Sequence, residues 1–68
     1  MAMEITVNGE RRNHSSPLTI GGLLQLLKID PRSVVVERNL TILARSRMES
    51  EALEEGDSIE IIRFVGGG

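Results

Sequence analysis

The chain of 68 residues contains no cysteine, tryptophan or tyrosine, one phenylalanine, one histidine and two prolines. The missing cysteines exclude disulfides, thiolate metal sites and cysteine nucleophiles together. They also leave a small domain without covalent staples, and with Phe64 its sole aromatic residue the core must be aliphatic. Near the lower size limit for independent folding, such a domain buries only about 60% of the surface its unfolded chain exposes. A large enclosed active site is therefore not expected. No apolar run approaches the roughly 20 residues that span a bilayer, and no signal-peptide pattern opens the sequence, so the expectation is a cytoplasmic protein with no membrane partner. A formal charge of −2 gives no support to nucleic-acid binding as the main task.

What is present is ordinary globular material, 40% apolar and 26% charged, which places the chain among folded domains rather than disordered segments. Met3-Glu4-Ile5-Thr6-Val7 alternates apolar and polar residues with the period of a half-buried strand. Asn8-Gly9 then signals a tight hairpin, because both residues tolerate positive φ. Glu10 to His14 reads as the polar return strand, at a sheet edge where charge discourages unwanted pairing, and Ser15-Ser16-Pro17 ends it. Thr19 is a helix N-cap before "IGGLLQLLKI", in which Ile20, Leu23, Leu24 and Leu27 form one apolar stripe. Gly21 and Gly22 weaken the first turn by up to about 1 kcal/mol each, tolerable if the sheet lies close beneath them. Asp30-Pro31 closes the segment, since the residue before proline is pushed out of the helical region.

"SVVVERN" is the strongest strand signal, with Asn39 as its turn residue, and "LTILA" is a short, weaker strand. Arg45 to Leu53 is polar and irregular, with Met48, Ala52 and Leu53 as packing points. Glu55-Gly56-Asp57 turns into a final strand, "SIEIIRFV". The order strand, strand, helix, strand, short strand, strand suits several small α+β folds in which a mixed sheet is crossed by one helix. With the first and last strands adjacent and parallel it becomes a ubiquitin-like β-grasp. The expected architecture is thus a mixed sheet of four to five strands packed on one α-helix. Residues 1–64 form the domain and residues 65–68 a flexible glycine tail.

Few side chains suggest chemistry. His14 lacks a partner at a spacing useful for a triad or a metal, and the adjacent Ser15 and Ser16 cannot supply one, so it reads as an exposed turn residue. Glu54, Glu55, Asp57 and Glu60 read as solvated acidic surface rather than a metal site. Arg11 and Arg12 read as an edge strand's solubility device. Gly21-Gly22 lacks the spaced glycines and the lysine of a phosphate loop. No constellation of side chains makes a catalytic or metal site.

The last strand is more informative. Alternation puts Ile59 and Ile61 on one face, Ser58, Glu60 and Ile62 on the other, then Phe64 beside Ile62 and Arg63 toward the buried side. Either the strand leaves the sheet near Arg63, or Ile62 and Phe64 form an apolar patch for a partner. The alternative to a patch is a twist or bulge that tucks Phe64 under the sheet edge. Beyond it, Val65 to Gly68 can extend about 13 Å, and from Gly66 onward no Cβ obstructs a narrow channel. At the tip is the Gly68 α-carboxylate, a poor electrophile until adenylation supplies a leaving group. Terminal glycines alone also fit a frayed end.

Taken together, "MEITVNGE", "TIGGLLQLLKI", "VVVERN" and "EEGDSIEIIRFVGGG" make the chain resemble the small sulfur carrier proteins, and within them the thiamine-biosynthesis (ThiS-type) carriers. The resemblance covers essentially the whole chain. Sulfur carriers for molybdopterin share the fold and the diglycine but are generally longer and lack a "VERN"-like segment. The resemblance implies that an E1-like adenylyltransferase uses ATP to adenylate the terminal glycine, and that a sulfur donor system converts it to a thiocarboxylate. The charged carrier then delivers sulfur to thiazole synthase. Gly67 and Gly68 match the functional diglycine, with Gly68 bearing the sulfur, and Gly66 is one glycine more than a minimal ending. Ile62, Arg63, Phe64 and Val65 match the region that docks on the enzymes. The protein would then be a co-substrate with no bound cofactor, and nothing in the sequence demands more than a monomer. Two other readings stay open: a carrier for molybdopterin or another thiolated product, and a non-covalent β-grasp module binding protein or RNA through Ile62 and Phe64.

Overall fold

Asn8 and Gly9 both take positive φ, 50° and 84°, as a two-residue hairpin matched to strand twist requires. They join β1 (Ala2–Val7) to β2 (Glu10–Ser15) in antiparallel register from Ala2↔Ser15 to Val7↔Glu10. The computed structural model describes residues 1–64; the readings placed on Val65, Gly66, Gly67 and Gly68 lie outside the described residues. The other elements are α1 (Ile20–Leu26), β3 (Val34–Arg38), β4 (Thr41–Leu43) and β5 (Ser58–Arg63), with short 3-10 turns at Pro31–Ser33 and Arg45–Arg47. The five strands form one sheet in the order β2-β1-β5-β3-β4. β1 and β5 pair in parallel and the other neighbours antiparallel. The first and last strands are therefore adjacent, parallel and internal, as a β-grasp requires, and the charged β2 is an edge strand.

The core lies between one face of the sheet and the helix. β1 contributes Met3, Ile5 and Val7, β3 contributes Val34 and Val36, and β5 contributes Ile59 and Ile61. Against them pack Ile20, Leu23 and Leu24 of α1, with Met48 and Leu53 from the long loop closing the side. Each such aliphatic side chain, when fully buried, stabilises the fold by about 1.5–3 kcal/mol. This answers the aromatic deficit, because Phe64 is 64% exposed and takes no part.

Several local expectations change. Thr19 does cap the helix, its Oγ1 accepting from the Gly22 N–H at 3.0 Å. The helix nevertheless stops at Leu26, before Asp30-Pro31. Lys28 adopts φ 61°, and the Ile29 and Lys28 N–H groups donate to the Leu24 and Gln25 carbonyls. That is a Schellman ending with lysine where glycine is usual, so hydrogen bonding rather than the proline sets the boundary. Leu27 is consequently only half-buried. Gly21 is thin for a different neighbour from the one expected: a Cβ there would lie 2.6 Å from the Glu49 carboxylate, not against the sheet. Ala52 is exposed and contributes its backbone, bridging to Thr19. His14 is a half-buried residue of β2 rather than an exposed turn residue, and its Nε2 accepts from Arg12 Nε at 3.3 Å. It pairs across the two strands with the buried Met3.

Candidate functional site

β5 is the last element before residues 65–68, and its position is fixed at both ends. At the start of the strand, Asp57 is 6% exposed rather than part of a solvated acidic surface. Its Oδ2 accepts from the Glu54 N–H at 2.8 Å and faces Arg38 Nη2 at 2.8 Å, while Oδ1 accepts from Asn39 Nδ2 at 3.1 Å. Asn39 Oδ1 in turn accepts from the Ser58 N–H at 2.9 Å. Arg38 also pairs with Glu51 at 2.9 Å and reaches Glu54 at 3.8 Å. Burial pushes the Asp57 carboxyl up, but the Glu54 N–H, Asn39 and the Arg38 charge outweigh it and hold the group below the usual carboxylate range. The "ERN" and "GDS" segments are thereby one structural knot joining β3, the long loop and β5.

Further along, Asn8 does more than turn the hairpin. Its N–H donates to the Ile59 carbonyl at 2.9 Å and its Oδ1 accepts from the Ile61 N–H at 2.7 Å, extending the β1 side of the ladder past Val7. On the other side β5 stays paired with β3 through Val34↔Arg63, and the Phe64 N–H donates to the Ser33 carbonyl at 3.1 Å. The strand therefore does not leave the sheet before Arg63. Arg63 is exposed on the helix side of the alternation because a helix of seven residues, about 10 Å long, cannot cover strands of about 20 Å.

No bulge tucks Phe64 away. Ile62 is 48% exposed and Phe64 64% exposed, both on the sheet face turned away from the helix. The register extends this patch beyond the residues legible in the last strand. Val35 lies opposite Ile62, and Ile42, 67% exposed, lies opposite Glu37. The signal for Val35 and Ile42 was the alternation of "VVVER" and "LTIL", but strand pairing was needed to bring them to Ile62. Arg11 and Arg12 stand on β2, separated from β5 by β1, and Glu54 and Glu55 on the loop beside the knot, where Glu55 Oε1 accepts from the Glu4 N–H. Among the described residues there is no pocket and no group of three metal-ligating side chains, and no helix is long and apolar enough to cross a membrane.

A mixed five-stranded sheet on one helix, with an exposed apolar face beside the last strand, defines a ubiquitin-like β-grasp protein. Its structure is similar to the crystal structure of a thiamine biosynthesis protein (ThiS) from Geobacter metallireducens, with a TM-score of 0.84 and 33% identity over 97% of this chain and 100% of that one. The chain belongs to the ThiS family, whose model matches residues 3–68. It is 42% identical to the sulfur carrier protein ThiS of Bacillus subtilis over 50 residues, 74% of this chain and 76% of that protein. It is also 46% identical over 66 residues, 97% of its length, to part of a thiazole synthase from Paramagnetospirillum magneticum. A thiazole synthase from Magnetococcus marinus matches the same share at 41% identity. The chain spans 20% of the length of each of these two synthases.

Proposed function

We propose that this protein is a sulfur carrier of thiamine biosynthesis and that the carboxylate of Gly68 is the group that works. A carboxylate oxygen attacks the α-phosphorus of ATP, pyrophosphate leaves, and the acyl-adenylate now carries a good leaving group. A sulfur nucleophile from a donor system then attacks the acyl carbon and AMP departs with one original oxygen, leaving a thiocarboxylate. Both steps are performed by an E1-like adenylyltransferase and the donor system, so the carrier is a co-substrate and its own side chains accelerate nothing. ATP is consumed and no cofactor is held. Thiazole synthase then takes the sulfur for the thiazole ring, in the cytoplasm, with neither nucleic acid nor membrane involved.

The observation that carries this reading is the ThiS family match, which runs through residue 68 and so includes the diglycine Gly67-Gly68. The division of labour follows from the residues: 1–64 are the folded body and 65–68 the thread that enters an active site. Gly66 and Gly67 keep that thread slender. Ile62, Arg63, Phe64 and Val65 form the docking segment at its root, and the exposure of Ile62 and Phe64 supports that role. The similarity to part of two thiazole synthases supports the synthase as a partner. Incubation with ATP, the activating enzyme and a sulfur donor should raise the intact mass by one oxygen-to-sulfur exchange. Deleting Gly68, or adding one alanine after it, should abolish charging without unfolding the domain. An unchanged mass with enzymes active on a related carrier would sink the proposal. The exposed Ile42, Ile62 and Phe64 also suit a non-covalent binding module, which predicts partner binding unaffected by removal of the glycines.

A further inference from the structure

The face of the sheet away from the helix contains an arrangement that the folded protein alone does not explain. Glu37 and Glu60 are directly opposite each other on β3 and β5, at about 4.5–5.5 Å between Cβ atoms, where like charges destabilise a sheet. Among the described residues neither carboxylate has a cation within ion-pair distance. On two sides of them the register places apolar side chains, Ile42 opposite Glu37 on β4 and the Val35↔Ile62 pair next along the same two strands, while toward β1 and β2 the same face carries Ser58, Thr6 and Arg11. Ile42 and Ile62 are exposed. Two carboxylates without an ion-pair partner, bordered by apolar side chains toward β4 and the end of β5, repel phosphate-bearing partners such as nucleic acid or anionic lipid at that point. A second copy packed about the same point would oppose four carboxylates. Among the described residues no third ligating side chain joins the pair to hold a metal.

We propose that thiazole synthase docks on this face and places an arginine between Glu37 and Glu60, its apolar surroundings packing on Val35, Ile42 and Ile62. A guanidinium has five N–H donors in a planar fork and can serve two carboxylates at once. Packing of the partner on Val35, Ile42 and Ile62 lowers the water content around those bonds and strengthens them. Commitment to the synthase rests on the carrier reading above and on the similarity of this chain to part of two thiazole synthases. The repulsion between Glu37 and Glu60 in the free protein is relieved in the complex, so the pair selects the partner at the expense of the monomer.

The two consequences have opposite signs, which makes the test sharp. Glu37→Gln, Glu60→Gln and the double variant each remove the like-charge contact and should raise the melting temperature of the free protein by about 1–6 °C. The same variants should weaken binding to purified thiazole synthase by at least about tenfold. Calorimetric titration of full-length protein into the synthase reads this, with the activating enzyme titrated in parallel. Wild-type affinity should fall with added salt more steeply than that of the double variant. Synthase affinity within threefold of wild type, a loss confined to the activating enzyme, or a lowered melting temperature would each overturn the inference while leaving the carrier reading intact. A wild-type protein that binds neither enzyme overturns the carrier reading and this inference with it.

Discussion

Replacing Asp57 by asparagine tests the knot that sets the start of β5. All three groups around this carboxylate donate hydrogen bonds: the Glu54 N–H, Asn39 Nδ2 and the Arg38 guanidinium. An amide in its place turns one acceptor into a donor facing a donor. Asn39 cannot flip to compensate without losing its own bond from the Ser58 N–H. Breaking a buried charge pair costs about 3–5 kcal/mol, but Arg38 keeps Glu51 at 2.9 Å, so a loss of about 2–4 kcal/mol is expected. For a domain this small, whose whole stability is about 3–10 kcal/mol, the melting temperature should fall by about 10–25 °C. Far-UV circular dichroism is the assay, since the chain has no tryptophan or tyrosine to report unfolding. The pH dependence has a fixed sign. Asp57 titrates below its unfolded value of about 3.9, so the unfolded chain takes up the proton more readily. The stabilisation is complete above about pH 5 and disappears as the pH falls through the folded-state value. The variant should therefore lose less stability than wild type on acidification. A melting temperature within about 3 °C of wild type, or an unchanged acid response, would refute the knot as a stability element.

Leu40 adopts φ 72° at the β3–β4 turn and is 90% exposed, so Leu40→Gly removes left-handed strain and almost no packing. It should raise stability by about 0.5–1 kcal/mol after the greater freedom of glycine in the unfolded chain is counted; a lower melting temperature would contradict this. Phe64→Ala should change unfolding free energy by less than about 0.5 kcal/mol, because the ring is 64% exposed. Its affinity for the activating enzyme or the synthase should fall by about tenfold or more, and undiminished binding to both would remove Phe64 from the docking segment.

Much of the body was legible from local pattern. Alternation in "MEITV" and "SIEII" marked the core face, and Asn8-Gly9 and Thr19 announced a turn and a cap through chemistry confined to a few neighbouring residues. What local pattern missed depends on strands far apart in sequence. Asp57 reads as one more acid in a charged loop until β3 brings Arg38 and Asn39 beside it. Val35 and Ile42 join Ile62 only through the order β5-β3-β4, and the opposition of Glu37 to Glu60 has no local signature. The helix end was misplaced because a Schellman ending with lysine at the left-handed position competes successfully with the more visible proline signal. Phe64 was balanced between exposure and burial on alternation alone; continued pairing of β5 to Arg63 keeps it on the open face.

The central claim concerns one atom group, the carboxylate of Gly68, and mass spectrometry of the protein recovered from cells tests it most directly. Cells with an active adenylyltransferase and sulfur donor should yield a fraction carrying one oxygen-to-sulfur exchange, located by fragmentation to Gly68. The same protein from cells lacking the adenylyltransferase should be wholly unexchanged. Exchange at any other residue, or an unmodified Gly68 whether or not the adenylyltransferase is present, would contradict the account.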